Sequence, residues 1–195
     1  MGKKRTGLTV LLVFIAIAVF SQHKDTLKAR INHYSFTVGT GWSHYFNNLE
    51  YGDNNIRQDF AGLSCRFYWE PEYRLSLGLE SGYFRLFRVK NQITPDIGSE
   101  VDRSVIPLLL LVRMRVVDNV YLSTGLGLAV LTNKAAAGDQ KIITKTWSLS
   151  NYEVAASYIY PLKKHLRVGG EMKLYNFGVL NDWMFALQAF VSVRL

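Results

Sequence analysis

The sequence has little cysteine, little proline and no apolar run long enough to cross a membrane as a helix. Cys65 is the only cysteine of the 195 residues, which excludes an internal disulfide and a zinc site built from thiolates. The longest apolar stretch, residues 8–20, falls short of the ~20 residues that a transmembrane helix needs. Lysine and arginine are not gathered into a basic run with interleaved aromatics, so a nucleic-acid-binding protein is not expected.

The N-terminus has the plan of a secretory signal peptide. A basic tip, "KKR", is followed by the apolar stretch and then by the small residue Ser21. We therefore expect residues 1–21 to be a cleavable signal peptide, residues 22–32 a short periplasmic segment and residues 33–195 the mature domain. Loss of the basic tip would lower the formal charge from +8 by three. Export through the Sec pathway follows from this prediction.

What the mature chain has in abundance is a pattern of period two. In residues 121–132, "YLSTGLGLAVLT", bulky apolar side chains alternate with small ones. This period predicts β-strands with two unlike faces. The same pattern recurs in residues 34–46, 61–69, 75–83, 106–116, 151–160, 166–174 and 183–195. Eight strands of about ten residues fit the length of tilted membrane strands.

The connections between these strands alternate in length. Residues 47–58, 88–103 and 133–145 are expected to be long loops, whereas Pro71, "VDN" and "PLKKH" mark tight turns. Long loops outside the cell and tight turns in the periplasm are typical of outer-membrane barrels. The sequence therefore predicts an all-β protein: an eight-stranded antiparallel up-and-down transmembrane β-barrel, with both termini in the periplasm.

The two faces of each strand are expected to serve different surroundings. The bulky face contacts lipid, and the small or charged face lines a lumen just wide enough for side chains to fill. Glycines would make room there for large residues such as Arg66, Arg113 and Phe190. Aromatic residues near both strand ends, among them Tyr83 and Phe87, are expected to form interfacial belts. A soluble barrel of the lipocalin type is the alternative, although a solvated face has no need of small residues.

Four segments carry a resemblance to a known family. They are "VFSQ" at the end of the signal peptide, "IPLLLLVRMRV" and "VYLSTGLGLAVL" around a tight turn, and the strand-like C-terminus "FALQAFVSVRL". The mature chain resembles the eight-stranded outer-membrane β-barrel domain of Gram-negative bacteria, akin to the transmembrane domain of OmpA and to PorT-like barrel proteins. Such barrels often end in Phe, whereas this chain ends in Leu195. The resemblance implies a monomer in outer-membrane lipid, inserted by the barrel-assembly machinery and without a cofactor.

Strand parity also predicts a network of charges in the lumen. Its members are Arg66, Glu80, Arg113, Arg115, Glu153, Arg167, Glu171, Lys173 and Arg194. A turn centred near Lys163 would place Glu153 directly opposite Lys173. Confined pairs of this kind are costly to break, which favours a structural plug. A gated ion path or an anion site is the alternative, because cations outnumber acids near the tight turns.

Neither a catalytic site nor a metal site is predicted. His33 and Ser35 have the spacing of the His-x-Ser pair in lipid A deacylase barrels, but no acid is expected beside them, and nucleophilic catalysis needs a base held by a third group. His44 has no evident carboxylate partner, and no metal-ligand spacing is present. We expect a non-enzymatic scaffold that displays loops to a surface protein or glycan, or that maintains envelope integrity. A lipid A deacylase-type enzyme and a narrow gated channel are the alternatives.

Overall fold

The structure, a computed structural model, describes residues 32–46, 56–71, 74–94, 97–137, 140–178 and 182–195. The expected signal peptide lies outside these residues. Eight long strands account for most of the described chain: β1 (His33–Phe46), β2 (Asp59–Glu70), β3 (Leu75–Thr94), β4 (Ile97–Val117), β5 (Val120–Ala137), β6 (Gln140–Pro161), β7 (Leu166–Phe177) and β8 (Asp182–Arg194). A two-residue strand, Ile56–Arg57, pairs with the far part of β3.

No helix among the described residues is long and apolar enough to cross a membrane.

The eight strands form one closed antiparallel ring. Each strand pairs with the next along the chain. The ring closes where β1 pairs with β8, from Ser35 opposite Arg194 to Phe46 opposite Trp183. Within the ring each strand has a neighbour on both sides, so the backbone groups of the wall are satisfied within the protein, as hydrocarbon requires. The predicted eight-stranded up-and-down barrel is confirmed.

Period two along each strand separates an apolar outer face from a mixed inner face. Leu110 is 60% exposed, whereas its neighbour Leu111 is fully buried. The outer face carries Leu, Val, Phe, Tyr and Trp, while serines, glutamates, arginines and aromatic rings are buried inside. A water-soluble barrel would place its apolar residues inside, so this distribution suits a wall that contacts lipid.

Glycines on the inner face make room for large rings. A Cβ built on Gly78 would lie 2.4 Å from the ring of Tyr68, and one on Gly169 would lie 2.4 Å from the ring of Phe190. The sequence placed Phe190 in this role correctly. For Arg113 the glycine acts indirectly. The Arg113 guanidinium lies 3.8 Å from the centre of the Tyr68 ring, and the Tyr68 ring packs over Gly78.

The two ends of the barrel are unequal. At one end, here called the short-turn end, residues 71–74, 118–119 and 162–165 connect the strands. β3 to β6 are 18–22 residues long, whereas β1, β2, β7 and β8 have 12–14 residues. The four longer strands extend past the others at the opposite end of the barrel. Residues 85–94, 97–105, 130–137 and 140–148 therefore form a protruding sheet.

The protruding sheet corrects two predicted loops. Residues 88–103 and 133–145 are paired strands rather than loops, apart from positions 95–96 and 138–139, which lie outside the described residues. The many charged and small residues of these segments are typical of loops, which is why loops were predicted. Beyond the lipid, however, a strand needs no apolar face, since its backbone pairs are formed by the neighbouring strands.

Two bulges change which residues face inward. The register of β3 shifts between Arg85 and Phe87, so Phe87 turns inward and is only 5% exposed. The prediction that Phe87 belongs to an outer aromatic belt is wrong for this reason. A second shift falls on β6 opposite Gly127, where Ser150 has a φ of 68°. The Asn151 amide stabilises this bulge by donating to the Ser148 carbonyl at 2.8 Å.

Candidate functional site

The middle of the lumen holds a fully buried lysine surrounded by acids. Lys173 of β7 is 1% exposed, and its Nζ donates to both carboxylate oxygens of Glu80 at 2.6 and 2.7 Å. The same Nζ lies 3.4 Å from Glu171 and 3.7 Å from Glu153. The Tyr175 hydroxyl donates to Glu80 at 2.6 Å. One cation therefore serves three carboxylates from three different strands.

Arg66 of β2 supplies the second cation of this central cluster. Its two terminal nitrogens donate to the two carboxylate oxygens of Glu171, one of them at 2.6 Å. Its Nε lies 3.7 Å from Glu80, and its guanidinium packs 5.2 Å from the centre of the Phe190 ring. Arg66, Glu80, Glu153, Glu171 and Lys173 thus form one connected group across the lumen.

The predicted pairing of Glu153 with Lys173 is wrong in register. Glu153 lies opposite Tyr175, and Lys173 lies opposite Ala155. The turn is centred one residue later than predicted, because Pro161 pairs with Arg167 and residues 162–165 form the connection. A shift of one turn position moves a cross-strand partner by two residues. The two side chains still meet diagonally at 3.7 Å.

A second cluster, at the short-turn end, is built around an acid that strand parity could have found. Glu70 accepts hydrogen bonds from Ser35 at 2.7 Å, from Arg113 at 2.7 Å and from Arg167 at 3.1 Å. Arg194 lies 3.9 Å away. Glu70 is the last residue of β2 and continues the inward parity of Arg66. The expected strand ended at residue 69, so the acid was missed.

Arg115, the remaining predicted member of the network, forms no ion pair with either cluster among the described residues. It is exposed at the short-turn end, just before the register shift that ends the pairing of β4 with β5. The nine predicted charges thus divide into a central group of five, a group of three on Glu70 and one exposed arginine.

The histidines have partners that the sequence did not indicate. Glu70 lies opposite His33 in register, so the expectation of no acid beside His33 and Ser35 is wrong. The acid, however, bonds the serine hydroxyl directly, whereas an activated serine needs the histidine between hydroxyl and acid. The expectation for His44 is wrong as well, because its Nδ1 lies 2.9 Å from Asp59 on the outer face.

Cationic side chains share the outward face of the protruding sheet. Cross-strand register aligns Arg88, Asp102 and Lys134 in one row, and places Lys145 opposite Thr132 in the next. We call this surface the basic face; its cations are Arg85, Arg88, Lys90, Lys134, Lys141 and Lys145, and its acids are Glu100 and Asp102. The residues are far apart in sequence, so only the register brings them together.

The acids of the basic face are already paired with arginines. Asp102 lies 3.1 Å from Arg85 and 2.9 Å from Arg88, and Glu100 lies 2.9 Å from Arg88. Within the part of the chain that the structure describes, the four lysines of this face form no ion pair. The lysines are exposed, so their charge is available to a ligand.

A metal centre is not evident in the described ranges. No group of three or more His, Cys, Asp or Glu side chains there could hold a metal ion.

Comparisons with known proteins identify the fold. No protein-family model and no curated protein matches the sequence. Ail, the attachment invasion locus protein of Yersinia pestis, in complex with the heparin analogue sucrose octasulfate, matches with a TM-score of 0.55 at 11% identity, covering 84% of this chain and 99% of Ail. Ail alone matches with a TM-score of 0.51 at 12% identity and the same coverage. Neisserial surface protein A (NspA) gives a TM-score of 0.42 at 14% identity, covering 85% of this chain and 99% of NspA. The chain has the fold of the eight-stranded outer-membrane β-barrels.

Proposed function

We propose that the protein is a non-enzymatic outer-membrane anchor whose protruding sheet binds saccharides carrying sulfate or phosphate groups. The observation that carries this proposal is the basic face, with six cationic and two acidic side chains on one surface. The barrel holds this surface at the cell exterior, and the short-turn end with both termini faces the periplasm.

The position of the basic face relative to the apolar wall favours a role at the membrane surface. Val130 and Trp147 lie opposite each other one row below Thr132 and Lys145. Trp147 is 66% exposed, and tryptophan is enriched at membrane interfaces. The lysines therefore begin where the hydrocarbon ends, within reach of charged groups on other surface molecules.

The spacing of the lysines suits a ligand with several anionic groups. Lys141 and Lys145 lie on one strand, four residues apart, which is about 13 Å along a β-strand. A saccharide with sulfates or phosphates at intervals engages several lysines at once, so weak individual contacts add up. Ail, which shares this fold, was solved with a polysulfated sugar, and this supports the choice of ligand class.

A binding experiment with matched charge variants tests this function. The protein in neutral-lipid nanodiscs is titrated with fluorescent heparin oligosaccharide and, separately, with phosphorylated lipopolysaccharide core oligosaccharide. We expect K141Q/K145Q to weaken binding by about tenfold, the cost of one to two charge-assisted contacts. The control K163Q/K164Q removes the same charge at the opposite end of the barrel and should bind like the parent.

The oligosaccharide that binds with the higher affinity shows whether the basic face prefers sulfate or phosphate groups. Binding should also weaken steeply as salt is raised, because the contacts are exposed and screened. Equal affinity for uncharged dextran, or an equal loss in both double variants, would contradict the proposal.

A further inference from the structure

A cavity at the short-turn end carries an excess of positive charge, and the proposed function of the basic face does not involve it. Its volume is about 170 Å³. Among the described residues, five arginines line it with a single acid: Arg74, Arg113, Arg115, Arg167, Arg194 and Glu70. An excess of four positive charges in one small space raises the local positive potential and attracts anions.

Glu70 does not neutralise the positive charge of this cavity. Arg113 and Arg167 donate directly to its oxygens, and Ser35 takes a further acceptor position. Arg194 stands 3.9 Å away. Arg74 and Arg115 line the cavity but form no ion pair in the described part of the chain. The acid organises the inner arginines and leaves the outer ones available.

One donor of the inner wall is buried and unused. Arg113 is 5% exposed, and its Nε has no hydrogen-bond partner among the described residues. The guanidinium is fixed in place, because it lies 3.8 Å from the centre of the Tyr68 ring and 5.0 Å from that of Tyr121. Arg113 also lines the cavity, so its fixed guanidinium presents a positive charge to an anion held there.

A phosphate group fits this arrangement better than a carboxylate does. A second carboxylate would offer two oxygens in one plane, like Glu70 itself. A phosphate group offers three or four oxygens in a tetrahedral arrangement, so arginines on several strands can each donate to it. Guanidinium forks bind phosphate oxygens in pairs, and such charge-assisted bonds are short and strong.

We propose that this cavity, the arginine mouth, binds one phosphate group, with Arg74, Arg115 and Arg194 as its outer ligands and Arg113 at its base. Exposed apolar residues lie at the same end of the barrel, among them Val117 at the turn that follows Arg115, so a lipid headgroup can reach this end. The phosphate can therefore belong to a phospholipid headgroup or to a small soluble phosphate compound, and both present the same chemistry.

Calorimetric titration with two probes tests the site and separates the sources. The protein in neutral detergent is titrated with inorganic phosphate and, separately, with phosphatidylglycerol dispersed in the same detergent. R74Q/R115Q removes two exposed side chains that form no ion pair with any described residue, so the barrel should fold and keep its heat-modifiable migration on gels. K163Q/K164Q is the matched control, since both lysines are exposed at the same end but do not line the cavity.

We expect one equivalent to bind, and R74Q/R115Q to weaken it by about tenfold or more, as the loss of a charge-assisted hydrogen bond predicts. The control should bind like the parent. Binding of both probes assigns the site to the phosphate group alone, and binding of phosphatidylglycerol only assigns it to a lipid headgroup. If neither inorganic phosphate nor phosphatidylglycerol bound, or if the two variants lost affinity equally, the proposal would be overturned.

Discussion

Replacing the central lysine should be among the most damaging single changes in the barrel. Lys173→Met keeps most of the side-chain volume but removes the ammonium group that Glu80, Glu153 and Glu171 share. Arg66 would remain as the only cation of the central cluster. Since all members are buried, water cannot replace the lost contacts.

The expected cost follows from the number of partners. Removing one side of a buried ion pair typically costs about 3–5 kcal/mol, because the other side is left uncompensated. Lys173 has two hydrogen bonds to Glu80 and two further acids within 3.7 Å. We therefore expect a loss of about 4–5 kcal/mol, at the upper part of that range.

Urea unfolding of the protein in lipid vesicles, followed by the gel shift between folded and heated barrel, measures this loss. Lys163→Met, at an exposed turn position, is the control and should change stability little. The double variant Lys173→Met with Glu80→Gln removes one charge of each sign and should recover part of the loss. A single-variant loss below about 1 kcal/mol, the size of an exposed ion pair, would refute the reasoning.

Three further predictions concern the wall, the lumen and the orientation. Leu126→Arg should lower the free energy of unfolding by about 2–4 kcal/mol, because the charge lies near the midplane of the bilayer. Gly127→Leu should lower it by about 1–3 kcal/mol through overpacking, since a Cβ there would lie 2.1 Å from the Leu108 carbonyl oxygen. If either variant unfolded in vesicles like the parent, the assigned faces would be wrong. Reconstitution into a planar bilayer should give no steady conductance, because side chains fill the lumen, and large reproducible steps would show an open path. In a background without Cys65, a membrane-impermeant maleimide should label Lys134→Cys but not Lys163→Cys on intact cells, and the opposite labelling would invert the topology.

The fold could be predicted from the sequence because one physical pattern, alternation of period two, recurs in every strand. Every inward or outward assignment in residues 121–132 follows from alternation alone, and β5 has no bulge to disturb it. Arg66 and Glu171 were likewise assigned to the lumen by parity. Parity states which wall a side chain lines, and for a narrow barrel this already places opposite charges near each other.

Partners across the lumen and the ends of strands could not be predicted in this way. Lys173 bonds most closely to Glu80, which lies on a strand that is not its neighbour. Such pairs depend on the stagger of the whole ring, to which no local sequence signal corresponds. A bulge at Leu86 inverted the face of Phe87, and a one-residue change of turn displaced Glu153 from Lys173. Local errors of one residue change every contact beyond them.

The closure of the ring by β1 and β8 has a consequence for the order of folding. These strands lie at the two extremes of the barrel sequence, so their pairing closes the longest loop of the molecule and is entropically the slowest to form. The bonds of Lys173 to Glu80 and of Arg66 to Glu171 join residues 93 and 105 positions apart. They come within reach only when the sheet has curled into a ring. The ion pairs of the central cluster therefore form late in folding and stabilise the closed barrel. Weakening them should speed unfolding far more than it slows insertion.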